Sequence, residues 1–491
     1  NQTGLYCLTY EMLRDAGLDL NGVRPTNIKV TLAGKAVPIY VLSTDGKFGP
    51  DNYIEFYGNA LDTLYTDTNV YTIQFSQTKP PFIAVDNTAV VSGAKPAASY
   101  FETVLVNNQR TYTNYTPGTD PWYDNYVFVQ KTASGMDFPF QVNELANVSS
   151  AATLNLVVWG MLDMPQNPDH HIQVSINGTP VADQWFDGVV EQTVKVTVPG
   201  GVLQEGANIL TLTLPADTRG TYDLVYLDKF SVTYKRFFNA QDGRLTFTAT
   251  GKTFRVKNLP TPNVVVYRLE KNKPVRISQV TVKASGSTYM ATFPGLTTKY
   301  TYLVSAVESL YTPAISNLPA QANLNTPAEY LVISHPAFIE GIQPIVQARR
   351  AQGLTVNVVN VDDLYAKYTS GILDPKAIKE YVAYAAQNLG THYVLLVGGD
   401  TYDYRNYLGV NSISFIPSLY AETAPLVKFV PADPLYADYT GDNVPDLAIG
   451  RFPVRTTAQL ELMVNKTLAY QNKNYGRTAV FASDKMDGFL S

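Results

Sequence analysis

The hydrophobic pattern of this 491-residue chain changes its period near Pro327, and this change constrains the fold more than any other feature. Before Pro327, apolar and polar residues alternate in short runs, which is typical of strands with one buried face. After it, continuous apolar runs alternate with segments of helical spacing, which predicts parallel strands connected by helices. The sequence therefore predicts β-rich domains followed by an α/β unit.

The clearest antiparallel pattern lies within residues 170–234. Apolar and polar residues alternate from Ile172 to Ile176, and Asn177-Gly178 then supplies a two-residue hairpin turn because both positions tolerate positive φ. Three further alternating runs follow at short intervals. This spacing predicts a jelly-roll sandwich of two antiparallel sheets, of the kind found in carbohydrate-binding modules.

Turns and a linker divide the chain into four predicted domains. The polar, proline-bearing stretch 317–327 separates the β-rich part from the α/β part. The predicted domains are an N-terminal β-rich domain at 1–98, a jelly-roll sandwich at 99–236, a small β-sandwich at 237–318 and an incomplete α/β half-domain at 327–491.

The composition argues against several classes of protein. The net charge is −5, with 37 basic and 42 acidic residues, which is not the basic balance of a nucleic-acid binder. Hydrophobic residues make up 45% of the chain, enough to form cores rather than a disordered chain. No apolar run approaches the roughly 20 residues of a membrane-spanning helix. With 34 tyrosines, 32 glycines and 30 prolines, we expect a β-rich extracellular or cell-surface protein.

Candidate chemistry lies where the predicted parallel strands end. In open α/β sheets, sites form beyond the carboxyl ends of strands. His335, Asp400 and Asp484 occupy such positions, and Gly398-Gly399 permits a tight turn that leaves Asp400 at the rim. A carboxylate there can pair with a cationic substrate group or orient a histidine, whereas the alternative is a turn-capping aspartate. We interpret His335 as a structural histidine.

The remaining histidines and the single cysteine give weaker indications of chemistry. His170 and His171 are adjacent on a predicted strand and face opposite ways, so they are poorly placed to chelate one metal ion. His392 precedes its strand, at the end of the sheet away from such sites. Cys7 lies in an alternating N-terminal run and is expected to be a small buried hydrophobe rather than a nucleophile. One cysteine also excludes an internal disulfide framework.

An acidic stretch at 433–451 is the strongest indication of a metal site. Asp438, Asp442 and Asp446 recur every four residues, with a glycine and Asn443 between them. Hard oxygen ligands on a glycine-bearing loop suit Ca²⁺, although the spacing is not that of an EF-hand. These four residues are the predicted calcium ligands, and a solvated acidic loop is the alternative.

Several runs of sequence resemble the gingipain-type cysteine peptidase family. In the α/β part they are YVLLVGGD (393–400), TYDYRNYLG (401–409) and ADPLYADYTGDNVPDLAIGRFPV (432–454). In the β-rich part, IEFYGNALDTLYTDTNVYTI (54–73) and LVYLDKFSVTYKR (224–236) are similar to the leading part of larger bacterial members, including sortase-like enzymes of type IX secretion. The resemblance covers most of the chain.

This resemblance implies β-rich N-terminal domains followed by the first half of a caspase-like α/β catalytic domain. It implies that Asp400 lines the pocket for a substrate side chain, although Gly-Gly replaces the usual single glycine before it. It also implies calcium binding and a protein or peptide substrate. The family's nucleophilic cysteine and its Gly-His-Gly histidine match nothing in this chain, so no catalytic residue is assigned here and both are expected downstream of Ser491.

Two functions therefore remain open at the level of sequence. One is the N-terminal part of a secreted or cell-surface cysteine endopeptidase, whose partners are its substrate, the rest of its catalytic domain or a secretion partner. The alternative is a non-catalytic extracellular binding or assembly protein on the same scaffold, with a glycan on the jelly roll. A reading frame that continues to a Gly-His-Gly and a cysteine favours the enzyme.

Overall fold

The computed structural model describes residues 1–43, 45–116, 118, 120–317 and 322–471. The chain forms two compact units. Unit 1 comprises Asn1–Ala320, Asp403–Ser412 and Tyr420–Val430, and unit 2 comprises Gln321–Tyr402, Ile413–Leu419 and Pro431–Ser491. Among the described residues, no helix is both long and apolar enough to cross a membrane.

Unit 1 begins with a small sandwich of two three-stranded sheets. Its elements are β1 (Gly4–Thr9), α1 (Tyr10–Asp15), β2 (Ile28–Leu32), β3 (Lys35–Val37), β4 (Ile39–Leu42), β5 (Tyr53–Gly58) and β6 (Tyr71–Phe75). The strand orders are β1-β5-β4 and β3-β2-β6, all antiparallel. Helix α1 begins where the Thr9 side chain accepts a hydrogen bond from the Met12 N–H. Leu8, Val30 and Phe56 are buried between the two sheets.

A larger antiparallel sandwich follows in unit 1. The short strand β7 (Ala84–Asp86) precedes it in the sequence and belongs to another sheet. The strands of this region are β8 (Tyr100–Val106), β9 (Thr111–Tyr112), β10 (Trp122–Tyr123), β11 (Asn125–Val129), β12 (Ser134–Val142), β13 (Ala152–Gly160), β14 (His170–Ile176), β15 (Thr179–Phe186), β16 (Glu191–Val198), β17 (Gly206–Leu214) and β18 (Asp223–Arg236). One sheet has the order β11-β18-β13-β16, and the other has the order β12-β17-β14-β15. Ile172 and Ile176 are fully buried, as their alternation predicts, and Asn177 and Gly178 both have positive φ in the hairpin turn.

The third β region of unit 1 consists of two further sheets. Its strands are β19 (Arg244–Ala249), β20 (Thr253–Leu259), β21 (Val264–Glu270), β22 (Lys273–Ile277), β23 (Thr281–Ser285), β24 (Thr288–Pro294) and β25 (Tyr300–Ala306). The orders are β19-β25-β21-β22-β7 and β20-β24-β23. Buried aromatic rings, among them Phe247, Phe254 and Tyr302, fill the space between these sheets.

Unit 2 is a parallel α/β unit. Its elements are β26 (Tyr330–Ser334), α2 (Gln343–Ala351), β27 (Val356–Asn360), α3 (Val361–Tyr368), α4 (Lys376–Asn388), β28 (Tyr393–Val397), α5 (Pro434–Ala437), β31 (Ala448–Phe452) and α6 (Thr457–Gln471). Two two-residue strands lie between β28 and α5 in the sequence: β29 (Tyr420–Ala421) belongs to unit 1, and β30 (Val430–Pro431) lies at the boundary of the two units. The sheet order is β27-β26-β28-β31, and all three pairings are parallel. Asn360 caps α3 through the Asp362 N–H.

The predicted fold class is confirmed, because β-rich domains precede a parallel α/β unit. The four domain boundaries given above remain predictions. The strand predicted at 480–482 and Asp484 lie outside the described residues.

Candidate functional site

The carboxyl edge of the parallel sheet brings His335 near the turn that contains Asp400. Ser334 of β26 lies level with Val397 of β28, and Val397 lies level with Phe452 of β31. His335 and the Gly398–Asp400 turn therefore leave the sheet side by side. This is the edge at which open α/β sheets place their ligand sites.

The two glycines after β28 permit a turn that other residues would obstruct. Gly398 has φ +150°, and a Cβ built on it would lie 2.8 Å from both Ile416 Cγ1 and Phe415 Cβ. Gly399 donates its N–H to the Val454 carbonyl at 2.7 Å and accepts from the Phe415 N–H at 2.9 Å. Glycine is thus required at 398 by its positive φ and the close approach of Phe415 and Ile416, whereas Gly399 contributes main-chain hydrogen bonds.

Asp400 is half-buried, and each of its carboxylate oxygens is held by the segment 413–419. Oδ1 accepts from the Ser414 hydroxyl at 2.8 Å, and Oδ2 accepts from the Ser418 N–H at 2.8 Å. The Arg455 guanidinium donates to the Asp400 carbonyl at 2.8 Å and to the Ile413 carbonyl at 2.9 Å. An oriented carboxylate at this edge is the type of group that binds a cationic substrate group.

Arg451 contacts both the turn after β28 and the segment 413–419 through its guanidinium group. Its Nε and one terminal nitrogen donate to both carboxylate oxygens of Asp433, each at 2.7 Å. The guanidinium also donates to the carbonyls of Gly398, Ile416 and Pro417. Burial lowers the pKa of Arg451, but its hydrogen bonds with Asp433 and the charge of that carboxylate outweigh burial and raise it. Arg451 therefore remains charged and holds the turn against the segment that contacts Asp400.

His335 is a neutral histidine at the same edge. Its Nδ1 accepts the Ala337 N–H at 3.2 Å, which places the ring proton on Nε2. Its ring meets the edge of Phe415 with a centroid separation of 4.9 Å. Burial lowers the pKa of His335, and the charge of Asp362 opposes this only in part. The structural role assigned to His335 from the sequence fits these contacts.

The predicted calcium loop uses its carboxylates to hold its own backbone. Asp438 is 3% exposed and accepts from the N–H groups of Gly441, Asp442 and Asn443. The Asp446 carboxylate accepts from two further N–H groups of the loop and from the Thr440 hydroxyl. In the described part of the chain, no three acidic, histidine or cysteine side chains converge as metal ligands. This arrangement does not fit a preformed calcium site, and calcium binding remains a prediction.

Replacing Asp438 with alanine is expected to loosen this loop. Loss of a buried acceptor for three N–H groups costs about 2 kcal/mol, so amide exchange at 441–443 should accelerate at least roughly ten-fold, with or without a chelator. The exposed Glu461 of α6, changed to alanine, is the control and should leave the exchange nearly unchanged. Unaltered exchange in the Asp438→Ala variant would contradict this account, and slower wild-type exchange on adding calcium would support the calcium prediction.

Cys7 lies on β1 opposite Glu55 of β5 in unit 1. Burial, and then the charge of Glu55, raise the pKa of the Cys7 thiol to about 12. A thiol with such a pKa is protonated at neutral pH and is a poor nucleophile.

We therefore expect Cys7 to resist alkylation. At pH 8, iodoacetamide should label the folded chain at least roughly 100-fold more slowly than the chain in denaturant, because the thiolate is scarce and the site is half-buried. Mass spectrometry of the labelled peptide measures both rates. Equal rates in the two states would show that Cys7 is accessible and ionised.

Sequence reasoning missed several residues of this unit 2 site, and it missed the contacts of two histidines with aspartates in unit 1. It did not identify Ser414, Ser418, Arg451 or Arg455. The His170 Nδ1 lies 2.6 Å from Asp223 Oδ1, and both side chains are buried. His171 lies between two carboxylates, those of Asp183 and Asp217, as the next residue of the same strand. No local pattern marks these partners, which are 12 to 55 residues apart.

Comparison with known proteins agrees with this geometry. Residues 323–489 match the sequence model of peptidase family C25. No curated protein sequence matches the chain significantly. Among solved structures, dimeric latent PorU from Porphyromonas gingivalis is similar over 95% of this chain, with 18% identity and a TM-score of 0.61. The match covers 48% of PorU, so this chain spans about half of that protein's length.

Two other solved structures are similar over smaller parts. The match to a protease covers 30% of this chain and 28% of the protease chain, with 20% identity and a TM-score of 0.22. The match to the Stig cyclase Fisc from Fischerella sp. TAU covers 30% of this chain and 81% of the cyclase chain, with 12% identity and a TM-score of 0.19. Neither supports a conclusion about fold. The chain thus has a PorU-like fold, and its segment 323–489 matches the sequence model of peptidase family C25, the gingipain-type family that the sequence resembles.

Proposed function

We propose that this chain is the N-terminal part of a gingipain-like cysteine endopeptidase that acts outside the cell or on its surface. The observation that carries the proposal is the setting of Asp400, which lies at the carboxyl edge of a parallel sheet, within the family-matched segment. Both of its carboxylate oxygens are fixed in direction by Ser414 and Ser418. The nucleophilic cysteine and its histidine lie downstream of Ser491 in this proposal.

The chemistry divides between this chain and the downstream half. The downstream cysteine attacks the peptide carbonyl, and the downstream histidine transfers the proton to the leaving amine. Asp400 pairs with a cationic substrate side chain before the bond to be cut, which positions the carbonyl for attack. Calcium binding at the acidic loop and glycan binding on the larger sandwich are further expectations with separate tests.

The first test is the intact mass of native protein under denaturing conditions, with peptide mapping past Ser491. A mass well above 54.1 kDa, or a second chain with Gly-His-Gly and a cysteine that reacts with thiol inhibitors, supports the peptidase. A mass of 54.1 kDa with no companion chain contradicts it and favours the non-catalytic binding or assembly protein.

The role of Asp400 is tested by Asp400→Asn in the full-length protein. With peptides that differ only in arginine, lysine or alanine before the scissile bond, we expect kcat/KM to fall at least roughly 100-fold for the two cationic peptides and to change little for alanine. Glu461→Gln removes one negative charge from the exposed face of α6 in unit 2 without touching the sheet edge and is the matched control. An equal loss on all three peptides would mean that Asp400 supports the fold rather than specificity.

A further inference from the structure

The small N-terminal sandwich of unit 1 contains a cavity of about 700 Å³. Its floor is apolar and comes from both sheets, with Leu8, Val30 and Phe56 among the side chains. Its polar lining includes Asn59 and Asn69. None of the described lining residues has an acidic, basic or histidine side chain, so a charged ligand group inside would lose its hydration without gaining a counter-charge.

One wall of this cavity is the free edge of β6. The Ser76 N–H donates to the Asn27 carbonyl at 2.7 Å, which identifies the hydrogen-bonded positions of the β2–β6 ladder. Because these positions alternate, the main-chain groups of Tyr71 and Ile73 point away from β2. No described strand pairs with this side of β6. The edge therefore presents unpaired N–H and C=O groups.

The segment 312–317 also lines the cavity. Its residues alternate between half-buried and exposed, and the half-buried Ile315 packs with the core of the sandwich. The preceding residue, Tyr311, exchanges hydrogen bonds with Leu5 and Cys7 of β1. Within the described chain, the main chain of 312–317 makes no hydrogen bond. In the described part of the chain, the cavity thus has two walls with unpaired main-chain groups, the outer edge of β6 and the segment 312–317, and an apolar floor.

We propose that this cavity binds an extended, uncharged peptide segment of a partner protein as an added strand along β6. Alternate apolar side chains of the peptide enter the floor, and its main chain pairs with the outward groups of Tyr71 and Ile73. A compact small molecule would leave those groups unpaired, whereas a strand satisfies them along the whole five-residue edge. The site lies in unit 1 and is independent of the peptidase proposal.

The probe is an acetylated, amidated hexapeptide that alternates threonine and valine, titrated into the whole chain by calorimetry. We expect saturable binding below about 1 mM, with amide exchange at Tyr71 and Ile73 slowed at least roughly ten-fold. A threonine–lysine hexapeptide is the charged control and should not bind. No binding of the first peptide, equal binding of the lysine peptide, or self-association of the chain through β6 would overturn the proposal.

Two changes test the strand pairing directly. Ile73→Pro removes an N–H that faces away from β2, so the β2–β6 ladder remains while peptide affinity falls at least roughly ten-fold. Ile73→Val keeps the N–H and should bind as the wild type does. If the proline variant does not fold, N-methylation of alternate residues in the peptide removes the complementary hydrogen bonds, those that the peptide N–H groups donate to the carbonyls of Tyr71 and Ile73. Undiminished binding of the N-methylated peptide, or of a folded proline variant, would show that β6 is not the site.

Discussion

Replacement of Arg451 with methionine is expected to destabilise unit 2 by about 3–5 kcal/mol. The change leaves the Asp433 carboxylate without its bidentate partner, and it leaves the carbonyls of Gly398, Ile416 and Pro417 without donors. Because the chain has two units, the loss is best measured by amide exchange of β28 and 413–419 in increasing urea.

Two further variants separate packing from charge at this position. Arg451→Lys keeps the positive charge but cannot form the planar fork to Asp433, so we expect a smaller loss of about 2 kcal/mol. Arg350→Met removes an exposed arginine of α2 and should change stability by less than about 0.5 kcal/mol. If Arg451→Met behaved like Arg350→Met, Arg451 would not organise the turn before Asp400.

Removal of Glu55 in unit 1 is expected to have the second large effect. Glu55 is fully buried, its Oε2 accepts from the Tyr267 hydroxyl, and the Arg276 Nε lies 3.6 Å away. Arg276 in turn stacks over the Tyr40 ring at 3.9 Å. Glu55→Ala leaves Tyr267 without its acceptor and Arg276 without its nearby carboxylate, and should cost about 3 kcal/mol in urea unfolding. Glu55→Gln keeps the acceptor and should lose less than half as much.

The same residue gives unit 1 a defined pH dependence. Burial raises the pKa of Glu55, and Arg276 and Tyr267 lower it only in part. The native state therefore holds a proton that the unfolded chain has released above about pH 4.3. This contribution to stability is full below that pH and is lost as the pH rises through the folded pKa. Urea unfolding across this range should show a decline in wild type that Glu55→Gln lacks, and identical profiles would exclude Glu55 as its source.

The elements that could be predicted from sequence are those that depend on local patterns. Alternation identified the strand that contains Ile172 and Ile176, and two glycines after an apolar run located the turn before Asp400. The support of that turn could not be predicted, because Arg451 bonds to groups 18 to 53 residues away. An arginine after an apolar pair carries no local indication of its partners.

The acidic loop shows the opposite difficulty, since its local pattern has two physical solutions. Aspartates spaced around a glycine can converge on a cation or can accept the N–H groups of their own turn. In the structure, Asp438 and Asp446 accept the N–H groups of their own turn, and calcium binding by the same loop stays a prediction. Spacing alone does not distinguish the two solutions, because both need oxygen atoms on a tightly curved backbone.

Unit 1 is assembled from three separate stretches of sequence, and this fixes when it can be completed during synthesis. Tyr407 packs against Trp122, Arg405 pairs with Asp62, and the Leu426 carbonyl accepts from Thr116, all within this unit. The ribosome makes these late residues only after the strands β26–β28 of unit 2. The last contacts of unit 1 can therefore form only after residue 430 has been synthesised. Because strands of unit 2 are made before that point, folding of the two units overlaps in time.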